Sequence, residues 1–263
     1  NVTGVQTCAL PILLDVEKPT AIRRTVAFSE AIVHGEQTVE DVTARLAAAE
    51  TAEETLAAGY IPVLVDPEGR SVPKLKPDAL VDAILAKRNL GTEIRDAPVV
   101  IGVGPGFTAG VDCHAVVETM RGHSLGRVIR EGSAIPNTGV PGLIGGFAGE
   151  RVLRAPAAGL FHPLRDIGDA VTEGEILATV EGKPIIATLT GTLRGILPEG
   201  TEVSPGMKAG DIDPRCQRSH CFTASDKALA VGGGVLEAIL ALTGALRETG
   251  IRRAGGEGEE DHG

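Results

Sequence analysis

Residues 98–127 read PVVIGVGPGFTAGVDCHAVVETMRGHSLGR. A short β-branched apolar run, 98–103, stops at Gly102, Gly104, Pro105 and Gly106, the pattern of a buried strand ending in a tight turn. Asp112, Cys113 and His114 follow at once, an acid, a thiol and an imidazole just beyond a strand end. They form the candidate catalytic cluster, because an imidazolium beside a thiol lowers its pKa and makes it a nucleophile, a metal ligand or a chalcogen carrier. Adjacent strand residues point to opposite faces, so a buried, inert thiol is the competing reading. Gly102, Gly104 and Gly106 begin like a dinucleotide fingerprint, but Phe107 stands where the third glycine belongs. As backbone donors facing an anion they are candidate cofactor-binding residues, with Arg121 and Arg127 of the basic RGHSLGR segment steering it.

Outward from this stretch, residues 13–16, 37–44 and 60–65 read as strands, and residues 19–34, 47–58 and 77–89 as helices. Pro19 and Pro77 stand at helix starts, Gly35 and Gly59 just past helix ends. Alternating strands and helices predict a mostly parallel sheet, a truncated Rossmann-like α/β domain over 13–149 with a hairpin extension. Residues 1–12 show neither period; they resemble translated sequencing adapter, which places the start of genuine sequence near Leu13.

Residues 152–180 match residues 184–212 at a constant offset of 32, pairing Ala155 with Ala187, Gly159 with Gly191, Gly168 with Gly200, Val171 with Val203 and Gly174 with Gly206. Neither half can bury its apolar face alone, so the two should interlock as a repeat-built β-sandwich over 150–213. The pattern resembles the barrel-sandwich hybrid of biotinyl and lipoyl carrier domains. Lys183 lies in the joint between the halves but lacks the acceptor motif of either carrier, and reads as a solvated turn lysine. Residues 214–250 read as a loop, CQRSHC at 216–221, and a helix from Asp226 to about Leu246 that packs back on the first domain. Cys216, His220 and Cys221 lack the second cysteine pair of a zinc signature, and no metal site is assigned. The acidic tail 251–263 reads as disordered.

Composition narrows the function. The 263 residues carry a net charge of -10, 43% hydrophobic and only 2% aromatic residues. That charge repels phosphate backbones and the stacking platforms of single-strand binders are missing, which excludes nucleic acid as a partner. No apolar run reaches membrane length, so no membrane partner and a cytoplasmic location are expected.

Six strings occur together: PTAIRRTVAFSEAI, GVGPGFTAGVDCHAVVETMRGHSLGRVI, the turn Asn137-Thr138-Gly139, RGILPEGTEV, KAGDIDPR and SDKALAVGGGVLEAIL. Together they closely resemble the YqeB-type accessory proteins associated with selenium-dependent molybdenum hydroxylases. The resemblance implies a role in maturing those enzymes or their molybdenum cofactor, with the hydroxylase or other maturation proteins as partners and a molybdopterin-type or nucleotide ligand. Members of that family look as if they open with a glycine-rich strand-turn-helix, which this chain starts after. Two alternatives stand beside this reading: an NAD(P)-dependent oxidoreductase, from the strand-helix alternation, and a non-catalytic scaffold that docks the hydroxylase.

Overall fold

The computed structural model describes residues 11–139 and 142–245, so most of the 1–12 leader and the whole 251–263 tail lie outside the described residues. The molecule is mixed α/β, with several sheets and a C-terminal helix. Its chain divides into two compact units, Asn1–Leu75 with Asn137–Ala228, and Lys76–Pro136 with Leu229–Gly263.

The first unit opens with β1 (Leu13–Asp15), α1 (Glu30–His34), β2 (Glu36–Val39), β3 (Val42–Leu46), α2 (Ala52–Ala57), β4 (Ile61–Val65) and α3 (Val72–Leu75). The sheet order is β1-β4-β3-β2, with β4 parallel to both β1 and β3 and β2 antiparallel to β3. Ala31, Ala44 and Val63 make its small core, with Phe28, Ile32 and Ile61 packed on it. The helix expected over 19–34 is reduced to a 3-10 turn, Arg24–Val26, and the five residues of α1. The cause is tertiary: the Arg23 guanidinium donates to the His220 and Thr223 carbonyls and Arg24 Nε to the Ile196 carbonyl, while Ile196 N donates to the Ile22 carbonyl. These long-range bonds hold 22–25 in a conformation that a continuous helix could not reach.

The second unit holds β5 (Ala79–Asp82), β6 (Val99–Val103), β7 (Thr108–Ala109), β8 (Ala115–Val117), β9 (Val128–Ile129) and β10 (Gly132–Ser133). Here β5, β6 and β8 run parallel and β9 closes the edge antiparallel, while β7 and β10 form a separate two-stranded ribbon. The helix expected over 77–89 is instead strand β5 followed by irregular chain, in which Leu85 and Lys87 take φ of 60° and 65° that no helix accommodates. The strands expected to share one parallel sheet therefore belong to two mixed sheets. Alternation along β6 explains why all five of its residues are buried. Val99 and Ile101 face the C-terminal helix with Ala115 and Val117, whereas Val100 and Val116 face a plug of Phe107, Ala109, Cys113 and Ala134.

The remainder of the first unit is β11 (Val152–Arg154), β12 (Gly159–Pro163), β13 (Ala170–Val171), β14 (Ile176–Val180), β15 (Lys183–Ile186), β16 (Gly191–Ile196), β17 (Glu202–Val203) and β18 (Lys208–Asp213). The two sheets are ordered β11-β18-β16-β13 and β15-β14-β12-β17. Adding the 32-residue offset converts each strand of one half into its counterpart, and converts the first sheet order into the second. Each sheet thus mixes strands from both halves, and one core of Phe161, Leu177, Leu193, Leu197 and Ile212 serves both. Each such side chain contributes about 1.5–3 kcal/mol on burial, so neither half would hold its strands alone. The turn glycines Gly174 and Gly206 share φ of 88° and 80°, which is why glycine recurs there.

The chain ends its described part in α4 (Asp226–Thr243), capped by Ser225 Oγ, which accepts from Ala228 N at 3.2 Å. Val231, Val235, Ala238, Ile239 and Leu242 form its apolar stripe against the β5–β9 sheet. Of its three central glycines only Gly234 is crowded, a Cβ there falling 2.1 Å from the Gly126 carbonyl oxygen.

Candidate functional site

The glycine turn after β6 is packed rather than open. A Cβ at Gly102 would meet the Phe107 ring at 2.4 Å, and one at Gly106 would meet the Arg88 backbone at 2.7 Å. Gly104, with φ of 82°, donates its N–H to the Val117 carbonyl, continuing the ladder between β6 and β8. These contacts account for the three glycines through close approach of neighbouring chain, and the Gly104 donor is already used.

Cys113 is fully buried in the plug over the second face of β6 and β8. Burial pushes its thiol pKa up, the Gly102 backbone hydrogen bond works against that, and Asp112 adds to the rise. The thiol form therefore dominates at neutral pH, the opposite of what an activated nucleophile requires. His114 Nδ1 accepts from Val100 N at 3.0 Å, which assigns the proton of a neutral ring to Nε2 and locks the imidazole onto β6. Asp112 Oδ2 accepts from Thr108 N at 2.7 Å and fastens the turn between β7 and β8. Of the two basic candidates, Arg127 is exposed, while Arg121 is partly buried and already engaged.

A denser polar cluster lies in the first unit. Asp211 and Asp213 sit two apart on β18, so both carboxylates leave one face while Ile212 enters the core from the other. Arg194 on the neighbouring β16 donates to Asp211 Oδ2 through Nε at 2.8 Å and also through Nη2, and its Nη1 lies 3.5 Å from Asp213 Oδ2. The 3-10 turn Gly149–Arg151 brings Arg151 Nη1 to Asp211 Oδ1 at 2.5 Å. Arg215 clamps Asp213 with Nε at 2.9 Å and Nη2 at 2.6 Å. Burial works to raise the Asp213 carboxyl, but the Arg215 hydrogen bonds and the charges of Arg215 and Arg194 outweigh it and bring it down to about 2.

Arg23 reaches the same cluster from the segment before α1. Burial and the Arg194 charge lower its pKa, offset in part by Asp211. Four guanidinium groups thus meet two carboxylates, and Arg23 Nε, Arg151 Nε and His220 Nδ1 are buried without a hydrogen-bond partner. The positive charge exceeds the negative, and the exposed edge of the cluster is at Arg215, whose side chain is 44% accessible, while His220 Nδ1 lies 3.6 Å from Asp213 Oδ2. Asp211 and Asp213 lie within the string KAGDIDPR, but nothing in that string points to Arg23, Arg151 or Arg194, which come from other parts of the chain. Cys221 is buried beside the cluster with Sγ donating to the Leu193 carbonyl at 3.8 Å, and burial raises its pKa although Arg23 lowers it. Cys216 is exposed. Among the described residues no group of three or more His, Cys, Asp or Glu is placed to hold a metal ion, and no helix is long and apolar enough to cross a membrane.

No family model matches the chain. It is 55% identical over 232 residues to Uncharacterized protein YqeB of Escherichia coli strain K12, a match covering 88% of this chain and 43% of that protein. The chain therefore spans less than half the length of that relative. Among solved structures, an aspartoacylase family protein from Mesorhizobium loti is 20% identical, with 24% of this chain and 22% of that one covered at a TM-score of 0.22, a likeness that carries no argument about fold.

Proposed function

We propose that the chain forms part of an accessory factor in the maturation of selenium-dependent molybdenum hydroxylases or of their molybdenum cofactor, acting in the cytoplasm. The observation that carries this reading is the 55% identity with YqeB across 88% of the chain, taken together with the six strings that resemble the YqeB-type accessory proteins. In this reading the β11–β18 body is a barrel-sandwich hybrid module and the β1–β4 sheet is part of a Rossmann-like layer. The ligand is a phosphorylated pterin. Its phosphate would meet the guanidinium surplus around Asp211 and Asp213 from the side of Arg215, whose side chain is 44% exposed. Cys113 is left out of the chemistry because its thiol is buried and its pKa raised.

The test uses the full-length protein in its host. Deleting its gene should leave the hydroxylase polypeptide at normal abundance but depleted of molybdenum and selenium, with most activity lost, and the intact gene should restore all three. Unchanged activity and metal content in the deletion strain would overturn the proposal.

A further inference from the structure

The carboxyl ends of the adjacent parallel strands β3 and β4 open into a cleft of about 500 Å³, far along the chain from the glycine turn. Ligands of open α/β sheets bind in the crevice outside the carboxyl ends of parallel strands, and this volume suits a small organic ligand. One wall is the segment after β3, Leu46 to Glu50; the other is the segment after β4, Val65 to Lys74. The floor is apolar and in part unsatisfied by packing, since Leu46 and Val65 each remain 44% exposed.

Polar groups converge on that floor from one side. The Asp66 carboxylate is fixed by Arg70 N on Oδ1 at 2.9 Å and by Ser71 N on Oδ2 at 2.7 Å, leaving each oxygen a further acceptor site. The Ser71 hydroxyl is shielded from the surface beside the same carboxylate and, with the two backbone donors, helps hold the Asp66 carboxyl below its ordinary range against the opposing effect of burial. Two cations stand at the mouth. Arg70 pairs with Glu68, and Lys74 Nζ reaches Glu50 Oε1 at 2.5 Å, joining the two walls across the opening.

The geometry points to a binding site for a nucleoside 5′-phosphate. An apolar floor without aromatic groups receives the flat base on Leu46, Ala48 and Val65. The fixed Asp66 carboxylate, with a further acceptor site on each oxygen, matches the two hydroxyls of a ribose diol, both of which can donate to it. Arg70 and Lys74 take the phosphate, exchanging exposed ion pairs that are individually weak for charge-assisted bonds to it. The site does not rest on the maturation reading, and either can fail while the other stands.

The test is calorimetric titration of the full chain with AMP, adenosine and inorganic phosphate. AMP should bind more tightly than adenosine, and phosphate should bind more weakly than either. Arg70→Ala should weaken AMP about fivefold and leave adenosine unchanged, while Asp66→Asn should weaken both about fivefold. Because the Arg70 side chain is 81% exposed, its variant keeps the test decisive even if Asp66→Asn melts early. No saturable AMP binding in the millimolar range, phosphate binding as tightly as AMP, or variants that bind AMP like the parent would each overturn the assignment.

Discussion

Replacing Asp211 by Asn keeps the shape of the side chain and removes its charge. Asp211 is 1% exposed, between Arg151 at 6% and Arg194 at 8%, so the substitution strips the shared counter-charge from two buried guanidinium groups. Breaking a buried pair costs about 3–5 kcal/mol, because the remaining charge stays desolvated. Arg194 keeps Asp213 within 3.5 Å, whereas Arg151 keeps only the Gly142 carbonyl at 3.2 Å, so the cost should fall near the lower end, about 3 kcal/mol. For a chain of this size that corresponds to a fall in Tm of roughly 6–12 °C. Thermal melting followed by circular dichroism measures it, and adding Arg151→Met to Asp211→Asn isolates the pair. The double variant should be less destabilised than the two singles summed, by about 1 kcal/mol or more, since it deletes the stranded cation. A Tm change under about 2 °C for Asp211→Asn, or strict additivity in the cycle, would refute the description of this cluster as an interdependent ionic core.

Three further outcomes are expected. Gly233→Ala should stabilise α4 by up to about 1 kcal/mol, since nothing stands within 4 Å of the new methyl group. Gly234→Ala should instead destabilise by about 1–3 kcal/mol because the methyl group meets the Gly126 carbonyl, and paired denaturant melts would show the opposite signs. In the native protein at pH 8, iodoacetamide should label Cys216 but spare Cys113 and Cys221, whose buried thiols have raised pKa values; peptide mapping that finds Cys113 modified as fast as Cys216 would contradict this. Asp213 has its carboxyl held down at about 2 against an ordinary 3.8, so the unfolded chain binds the proton more readily. Its contribution of about 2 kcal/mol should be complete above about pH 5 and fade as pH falls toward 2, and Arg215→Met should flatten that acid limb in urea melts.

The repeat was the most legible part of the sequence. Its period reports strand pairing directly, and all eight strands recur at the expected spacing because the same turns and core positions are needed twice. The 98–103 strand and the helix from Asp226 were equally plain, since both are bounded by local signals that tertiary structure leaves intact. Residues 77–89 misled because Pro77, Asp78, Lys87 and Arg88 have the composition of helix ends, while what makes Ala79–Asp82 a strand is parallel pairing with β6 across the loop between them. Propensity carries no record of such a partner. At the site level, the sequence pointed to Cys113 through chemical type, but reactivity depends on burial, which type does not report. The Arg and Asp cluster escaped for the converse reason: Arg151 and Asp211 are separated by 60 residues and Arg23 and His220 by 197, and only folding makes them neighbours.

The division of the chain also sets an order of events during synthesis. The β5–β9 sheet leaves the ribosome complete by Ile129, yet the helix that covers its Val99, Ile101, Ala115 and Val117 face begins only at Asp226. At about 5–20 residues per second, that face waits roughly 5–20 s for its cover while the whole β11–β18 body is being made. A nascent chain halted between the two would carry a bare, parallel, β-branched surface, so the glycine-rich helix works as the closing step of a unit begun much earlier.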